Sequence, residues 1–393
     1  MRSEPLRRCE PTLSRFFALR CSYAVLFVCC VCGFPSAGAE EGNGRRDLLE
    51  QARLWRQDYG LAVARDKLLV ALAREDSSSG EFERRIWKTN ANKSHIWPGS
   101  VMQCSLAERA RTGIFVVLGY RQRSGRSQRI VRHVVEQLRS EGWGARLIEV
   151  PEWSSPESDA GQIHKAMQTE LPRVERAILV GFSKGGWDWV NWFHGRAAEL
   201  PASEREKIRL LVDFAAILRG STVAKWAANH RGAPASIFRT MMWARFGAKG
   251  ATPRFLRQLS RDPWEGKHST RRLRAVAPRL RSIQYVAVPE GRDGYTHVNG
   301  FFSWVNRNSS RAQLWMGPCD GMAESAAQLL PAHERVPRWI VRVNGSHAVL
   351  DGRYVNGALV SQRYRRRGAS RWKAGEELMD DLFRALPRSA IGW

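Results

Sequence analysis

The stretch Ala177 to Trp187 constrains the fold more than any other part of the chain. An apolar run of strand length, β-branched at its centre, reaches Gly181-Phe182-Ser183-Lys184-Gly185, and a helix-like segment follows at once. Glycines two residues before and two after Ser183 let the backbone turn sharply and hold the hydroxyl out over the end of a sheet. The spacing predicts strand, tight turn and helix, with a reactive serine at the turn.

Around this point the hydrophobic period alternates between that of strands and that of helices. Strands are predicted at Ile114 to Leu118, Ala145 to Val150, Ala177 to Phe182, within Ile208 to Leu218, near Ile283 to Val288 and at Arg338 to Val343. Helices are predicted at Ser127 to Glu141, Gly161 to Leu171, from Lys184, and at Trp372 to Leu386. Continuous apolar strands separated by amphipathic helices imply βαβ units, hence an α/β fold with a mostly parallel central sheet flanked by helices. Helical spacing over Arg45 to Glu75, through Leu48, Leu49, Ala52, Trp55, Leu68 and Leu72, predicts an N-terminal helical arm. Residues 81–110 carry too little periodicity to assign.

The first 39 residues have the composition of a signal peptide: Arg2, Arg7, Arg8, Arg15 and Arg20, then the apolar run Cys21 to Phe34, then Ala37-Gly38-Ala39. Cleavage there would start the mature chain at Glu40 and place it in an exported, periplasmic or secreted, compartment. Five of the seven cysteines leave with that segment, and Cys104 and Cys319 remain, as either one disulfide or two separate thiols. Five arginines and two glutamates leave as well, so the net charge falls from +25 to +22. A balance this basic favours an anionic partner, a membrane surface or an acidic polymer, and export makes nucleic acid the least expected of these.

More than half of that charge sits in one interruption of the α/β pattern. Residues 225–281 carry 14 Lys and Arg against Asp262 and Glu265, beside the apolar set Trp226, Phe238, Met241, Met242, Trp243 and Phe246. This mostly helical insertion reads either as a solvated basic face or as a lid on an anionic interface. The domain plan is therefore a signal peptide at 1–39, a helical arm at 40–110, the core in two parts at 111–219 and 282–393, and a basic helical lid at 220–281.

A serine nucleophile needs a base within hydrogen-bond reach and a carboxylate to orient that base. Gly181-Phe182-Ser183-Lys184-Gly185, Gly317-Pro318-Cys319-Asp320-Gly321 and Asn344-Gly345-Ser346-His347 stand in that chain order. In these three segments, across roughly residues 112–350, the sequence resembles the α/β-hydrolase fold superfamily in its lipase and esterase branch. The resemblance implies Ser183 as nucleophile, His347 as base and Asp320 as acid. Asp293, in Glu290-Gly291-Arg292-Asp293-Gly294, is the alternative acid, and His297 the weaker alternative base. It also implies an oxyanion hole from the backbone N–H groups of Lys184 and Tyr120, although Tyr120 would serve equally as pocket wall. The Lys184 side chain is expected either to favour an anionic substrate or, preferably, to point to solvent. Asp188, Asp213 and the tryptophans behind the serine are expected to be structural. Two antiparallel leading strands common in the fold are not evident.

The function expected is an exported serine hydrolase cleaving carboxylic esters of small-molecule or lipid-like acyl substrates, with no cofactor and no metal. Two alternatives stand beside it: a non-catalytic protein of the same fold that binds an anionic surface, and a thioesterase or amidase using the same triad.

Overall fold

The computed structural model describes residues 47–92, 94–119, 126–151, 154–230, 232, 235–236, 239–240, 252–265, 273–288, 316–320, 322–344, 352–355, 358–361 and 370–393. The predicted leader, Tyr120, Asp293, His297, His347 and the middle of the insertion lie outside them.

Eight strands form one sheet: β1 (Thr112–Val117), β2 (Gly144–Ile148), β3 (Arg176–Phe182), β4 (Ile208–Phe214), β5 (Arg281–Ala287), β6 (Arg338–Asn344), β7 (Gly352–Val355) and β8 (Ala358–Ser361). Their order is β2-β1-β3-β4-β5-β6-β8-β7. Every pair from β2 to β8 is parallel, and β7 runs antiparallel at the edge. The helices are α1 (Leu48–Glu75), α2 (Glu81–Ala91), α3 (Leu106–Ala110), α4 (Arg126–Ser140), α5 (Pro156–Glu170), α6 (Lys184–Gly195), α7 (Ala202–Arg205), α8 (Thr222–Asn229), α9 (Pro253–Leu259), α10 (Leu273–Val276) and α11 (Ser370–Ala385).

The central strands are apolar because both of their faces are covered. Alternate residues of one strand enter opposite cores: Ile178 and Val180 join Val134 and Leu138 of α4 and Leu382 and Phe383 of α11. Leu179 joins Ile163 and Met167 of α5 and Trp189, Trp192 and Phe193 of α6 on the other side. The tryptophans behind the serine are therefore core, as expected. α5 starts five residues before its predicted position, because Ser155 caps it and Pro156 occupies its first turn.

α1 breaks at Gly60 (φ 80°, ψ 174°) and lays Leu49, Leu68 and Leu72 on Val286 and Ile340 of the sheet. The segment that gave no periodicity contains α2, which stacks Phe82 on Trp339. No strand precedes β1 among the described residues. The extra strands stand instead at the far edge, as β7 and β8.

The strand order reverses direction between β1 and β3. A loop leaving β1 and one leaving β3 diverge there to opposite faces of the sheet, and that crevice at the carboxyl ends is where open α/β sheets take ligands. Ser183 directly follows β3.

Candidate active site

Ser183 takes φ 54° and ψ −117°, the left-handed half of a tight turn, which ordinary residues avoid. A position of this kind carries about 1–3 kcal/mol of strain and persists only where its surroundings fix it. Here its N–H donates to the Phe214 carbonyl (3.1 Å), and its own carbonyl accepts from Ile217 (3.1 Å) and Gly186 (3.3 Å). The serine side chain makes no capping hydrogen bond to α6, although serine at a helix start commonly does. The turn serves to present Ser183 at the helix N-terminus, where unpaired N–H groups gather.

Two close backbone approaches explain the small residues around it. A Cβ on Gly185 would fall 2.2 Å from the Val117 carbonyl oxygen, so the first turn of α6 sits directly on the end of β1. A Cβ on Gly119 would stand 2.8 Å from the Ser183 Cβ and 3.2 Å from the Lys184 nitrogen. The chain leaving β1 thus runs against both the serine and the N–H behind it. Tyr120, the next residue and the expected second oxyanion donor, lies outside the described positions.

The Lys184 side chain departs from expectation. It neither reaches solvent nor faces outward to attract an anion. Its exposure is 2%, and its Nζ lies 2.5 Å from Asp159 Oδ2 of α5 and 2.8 Å from Asp188 Oδ1 of α6. Both carboxylates are fully buried. The other oxygen of Asp159 accepts from Ser154. Burial disfavours the ammonium, but the two carboxylates outweigh it and raise the Lys184 pKa. Burial pushes Asp188 up to about 7, with Lys184 opposing and Asp159 reinforcing that rise. Asp188 is structural, as expected.

Asp320 lies in the loop after residue 315 and is fully buried. Its Oδ1 accepts from the N–H groups of Met322 and Ala323, each at 2.8 Å, and its Oδ2 from Gln328 Nε2 at 2.9 Å. Gln328 in turn accepts from Ala287 N–H at 2.8 Å, and Ser325 donates to the Ala287 carbonyl at 2.6 Å. Ala287 ends β5, so Asp320 is fastened to the same carboxyl edge of the sheet that carries Ser183. β6, the next strand over, ends at Asn344, three residues before His347.

Glu324 anchors the acid loop to two other parts of the chain. It is fully buried and receives Arg53 of α1 (2.7 Å), Gly317 N–H (2.7 Å) and the Thr222 hydroxyl that opens α8. Arg56 donates to the carbonyls of Met316 and Gly317. The arm and the insertion therefore meet on this loop. None of Gln328, Glu324 or Asp159 was singled out by the sequence; only the Lys184 to Asp188 spacing of one helical turn was visible there. Cys104 and Cys319 are separate buried thiols rather than a disulfide.

No protein family and no curated protein matches the sequence. Among solved structures, the chain is similar to a metagenomic carboxyl esterase, with a TM-score of 0.49, 14% identity, and 78% of this chain and 90% of that one covered. It is also similar to the mature lipase of Bacillus licheniformis (TM-score 0.41, 15% identity, 61% and 85% covered). A phospholipase from Legionella pneumophila is a third (TM-score 0.37, 13% identity, 56% and 45% covered). The topology stands independently of these likenesses: parallel strands reverse their winding between β1 and β3, and a serine elbow joins β3 to α6. Those features make this an α/β-hydrolase-like fold.

Proposed function

We propose that the protein is a serine hydrolase that cleaves carboxylic esters through an acyl-enzyme. The observation that carries this is the backbone of Ser183, held at φ 54° at the start of α6 with Gly119 against its Cβ. Such strain, placed at the switch point of the sheet, has a mechanical use in presenting a nucleophile.

In this reading Ser183 Oγ attacks the acyl carbon while His347 takes the hydroxyl proton. The carbonyl electrons collect on an oxyanion held by the N–H groups of Lys184 and Tyr120. Collapse breaks the acyl–oxygen bond, and His347 returns its proton to the leaving alcohol. Water then attacks the acyl-enzyme by the same route, giving the acid and restoring Ser183. Asp320 holds the imidazole in the right tautomer and stabilises the imidazolium. The attachment of Asp320 to the end of β5 supports its role, because the neighbouring strand β6 ends at Asn344, three positions before His347 in the chain.

A lipid-like acyl group is the substrate class favoured. Trp226, Phe255 and Leu256 of α8 and α9 form one buried apolar cluster with Met316 and with Met322, two positions after Asp320, so the described part of the insertion packs hydrocarbon against the loop that carries Asp320. Export after Ala39, and contact of the basic insertion with an anionic surface, belong to the same proposal. N-terminal sequencing of secreted protein and salt titration of binding to anionic vesicles test these two parts. A retained leader, or binding insensitive to salt, would remove the corresponding part.

The deciding experiment is labelling of the purified protein by a fluorophosphonate probe beside Ser183→Ala, in detergent. Labelling and hydrolysis of a p-nitrophenyl ester that both vanish in Ser183→Ala support the proposal. A folded wild-type protein that does neither overturns it in favour of a binding protein. Matched ester, thioester and amide substrates then identify the bond.

A further inference from the structure

The cluster of Lys184, Asp159 and Asp188 is costly to build. Three ionisable groups are withdrawn from water, one of them 2% exposed and the others not at all. Buried ion pairs of this kind often add nothing to stability over apolar side chains of the same volume. α6 has no need of it for anchorage, since Trp187, Trp189, Val190, Trp192 and Phe193 already bury the helix. What the cluster adds is geometry. Lys184 Nζ joins Asp188, one turn further along α6, to the first turn of α5, at Asp159. Asp159 in turn lies against the Ser154 hydroxyl in the loop leaving β2, whose single proton is shared with the Pro151 carbonyl 2.7 Å away.

The geometry points to the Lys184 side chain as a positioning residue, one that fixes its own backbone N–H as an oxyanion donor; this rests on the ester-hydrolase proposal. The residue has two ends with different work. Its N–H stands behind Ser183, 3.2 Å from where a Cβ on Gly119 would be. Its ammonium is locked between two helices on the far side. With Ser183 held by Phe214 and Ile217 and the lysine ammonium held by Asp159 and Asp188, the peptide between them is tethered on both sides. A donor aimed in advance at the developing charge stabilises the transition state without rearrangement, and misplacement by an ångström is enough to lose that.

The test compares wild type with Lys184→Met, Lys184→Arg and Asp159→Ala, each normalised to the serine titre given by the fluorophosphonate. Asp159→Ala leaves the lysine paired with Asp188 but frees it from α5. Lys184→Met and Asp159→Ala are expected to lower kcat per labelled serine by about 10- to 100-fold, with KM within about twofold. Affinity for a trifluoromethyl ketone, which forms a tetrahedral adduct on the serine, should fall by a similar factor. A merely structural role would lower the melting temperature and the titre without moving either ratio. Lys184→Arg keeps the charge and should recover part of the loss. Wild-type kcat and wild-type ketone affinity in folded Lys184→Met overturn the assignment; if that variant does not fold, the same result in Asp159→Ala does so. Absence of labelling in the wild type instead overturns the hydrolase proposal, and this inference with it.

Discussion

Gly119 and Ser183 are in backbone contact across the switch point of the sheet: a Cβ at 119 would stand 2.8 Å from the Ser183 Cβ and 2.6 Å from the Phe182 carbonyl oxygen. The chain leaving β1 therefore forms one wall of the site only because residue 119 has no side chain. The contact joins two elements that the sequence separates by 64 positions.

Gly119→Ala should consequently move the wall. Contacts below 3.0 Å to backbone atoms do not yield by side-chain rotation, so the loop must shift away from Ser183. We expect kcat per labelled serine to fall about 100-fold, because a misplaced donor no longer meets the oxyanion, and stability to fall by about 1–3 kcal/mol. Gly161→Ala is the control. A Cβ there meets nothing within 4 Å in the middle of α5, so stability should rise by about 0.5–1 kcal/mol at unchanged kcat. Equal kcat in both variants would show that the 119 wall has no part in the reaction.

The two Asp residues nearest the elbow behave differently from one another. Asp188 has Lys184 as partner. Asp213, at 1% exposure in β4, has no hydrogen-bond partner for either oxygen among the described residues, and burial pushes its carboxyl well above the usual range. The folded state thus holds a proton that the unfolded chain releases near pH 4. Stability from this group is complete below about pH 4 and is lost as pH rises towards the folded pKa, by about 1.4 kcal/mol per pH unit. Asp213→Asn removes the titration and sits in register with Gln284, whose amide also lacks a partner among the described residues. Wild type and variant should melt alike near pH 4, and the variant should gain as pH rises from there towards the folded pKa of Asp213. Parallel melting curves across that range would mean that Asp213 is ionised in the fold.

How much of this could be read in the sequence depended on how local each cause was. β1, β3, β4, β5 and β6 were legible because strands covered on both faces must be continuously apolar, and Ser183 was legible because its glycines surround it within two residues. The Lys184 cluster was not, since Asp159 reaches it from α5 and only the packing of α5 on α6 brings them together. Nor was the acid loop's anchorage, where Glu324 meets Arg53 from 271 positions away. α2 went unread because its buried face, Phe82, Glu83, Ile86 and Thr89, holds only two apolar residues in a short polar helix. β7 and β8, four residues each, are too short to give a period.

The acid assignment is open to a sharper test than a single substitution. Asp320 has structural work as well as its proposed catalytic work: its carboxylate gathers two backbone N–H groups and Gln328 Nε2. In Asp320→Asn the retained oxygen keeps the two backbone bonds, but the new amide N–H₂ faces the Gln328 N–H₂, donor against donor. Loss of activity there is ambiguous, because a distorted loop would produce it too. Gln328→Glu added to Asp320→Asn resolves this. The carboxylate introduced at position 328 offers an acceptor to the new amide and can still accept from Ala287 N–H, so the loop is held again without a carboxylate at 320. If Asp320 orients the base, kcat should fall about 10⁴-fold in Asp320→Asn and stay low in the double variant while the melting temperature recovers. Asp293→Asn should change kcat little. Recovery of kcat together with the melting temperature would make Asp320 a loop residue only, and a collapse of kcat in Asp293→Asn would move the acid to that position.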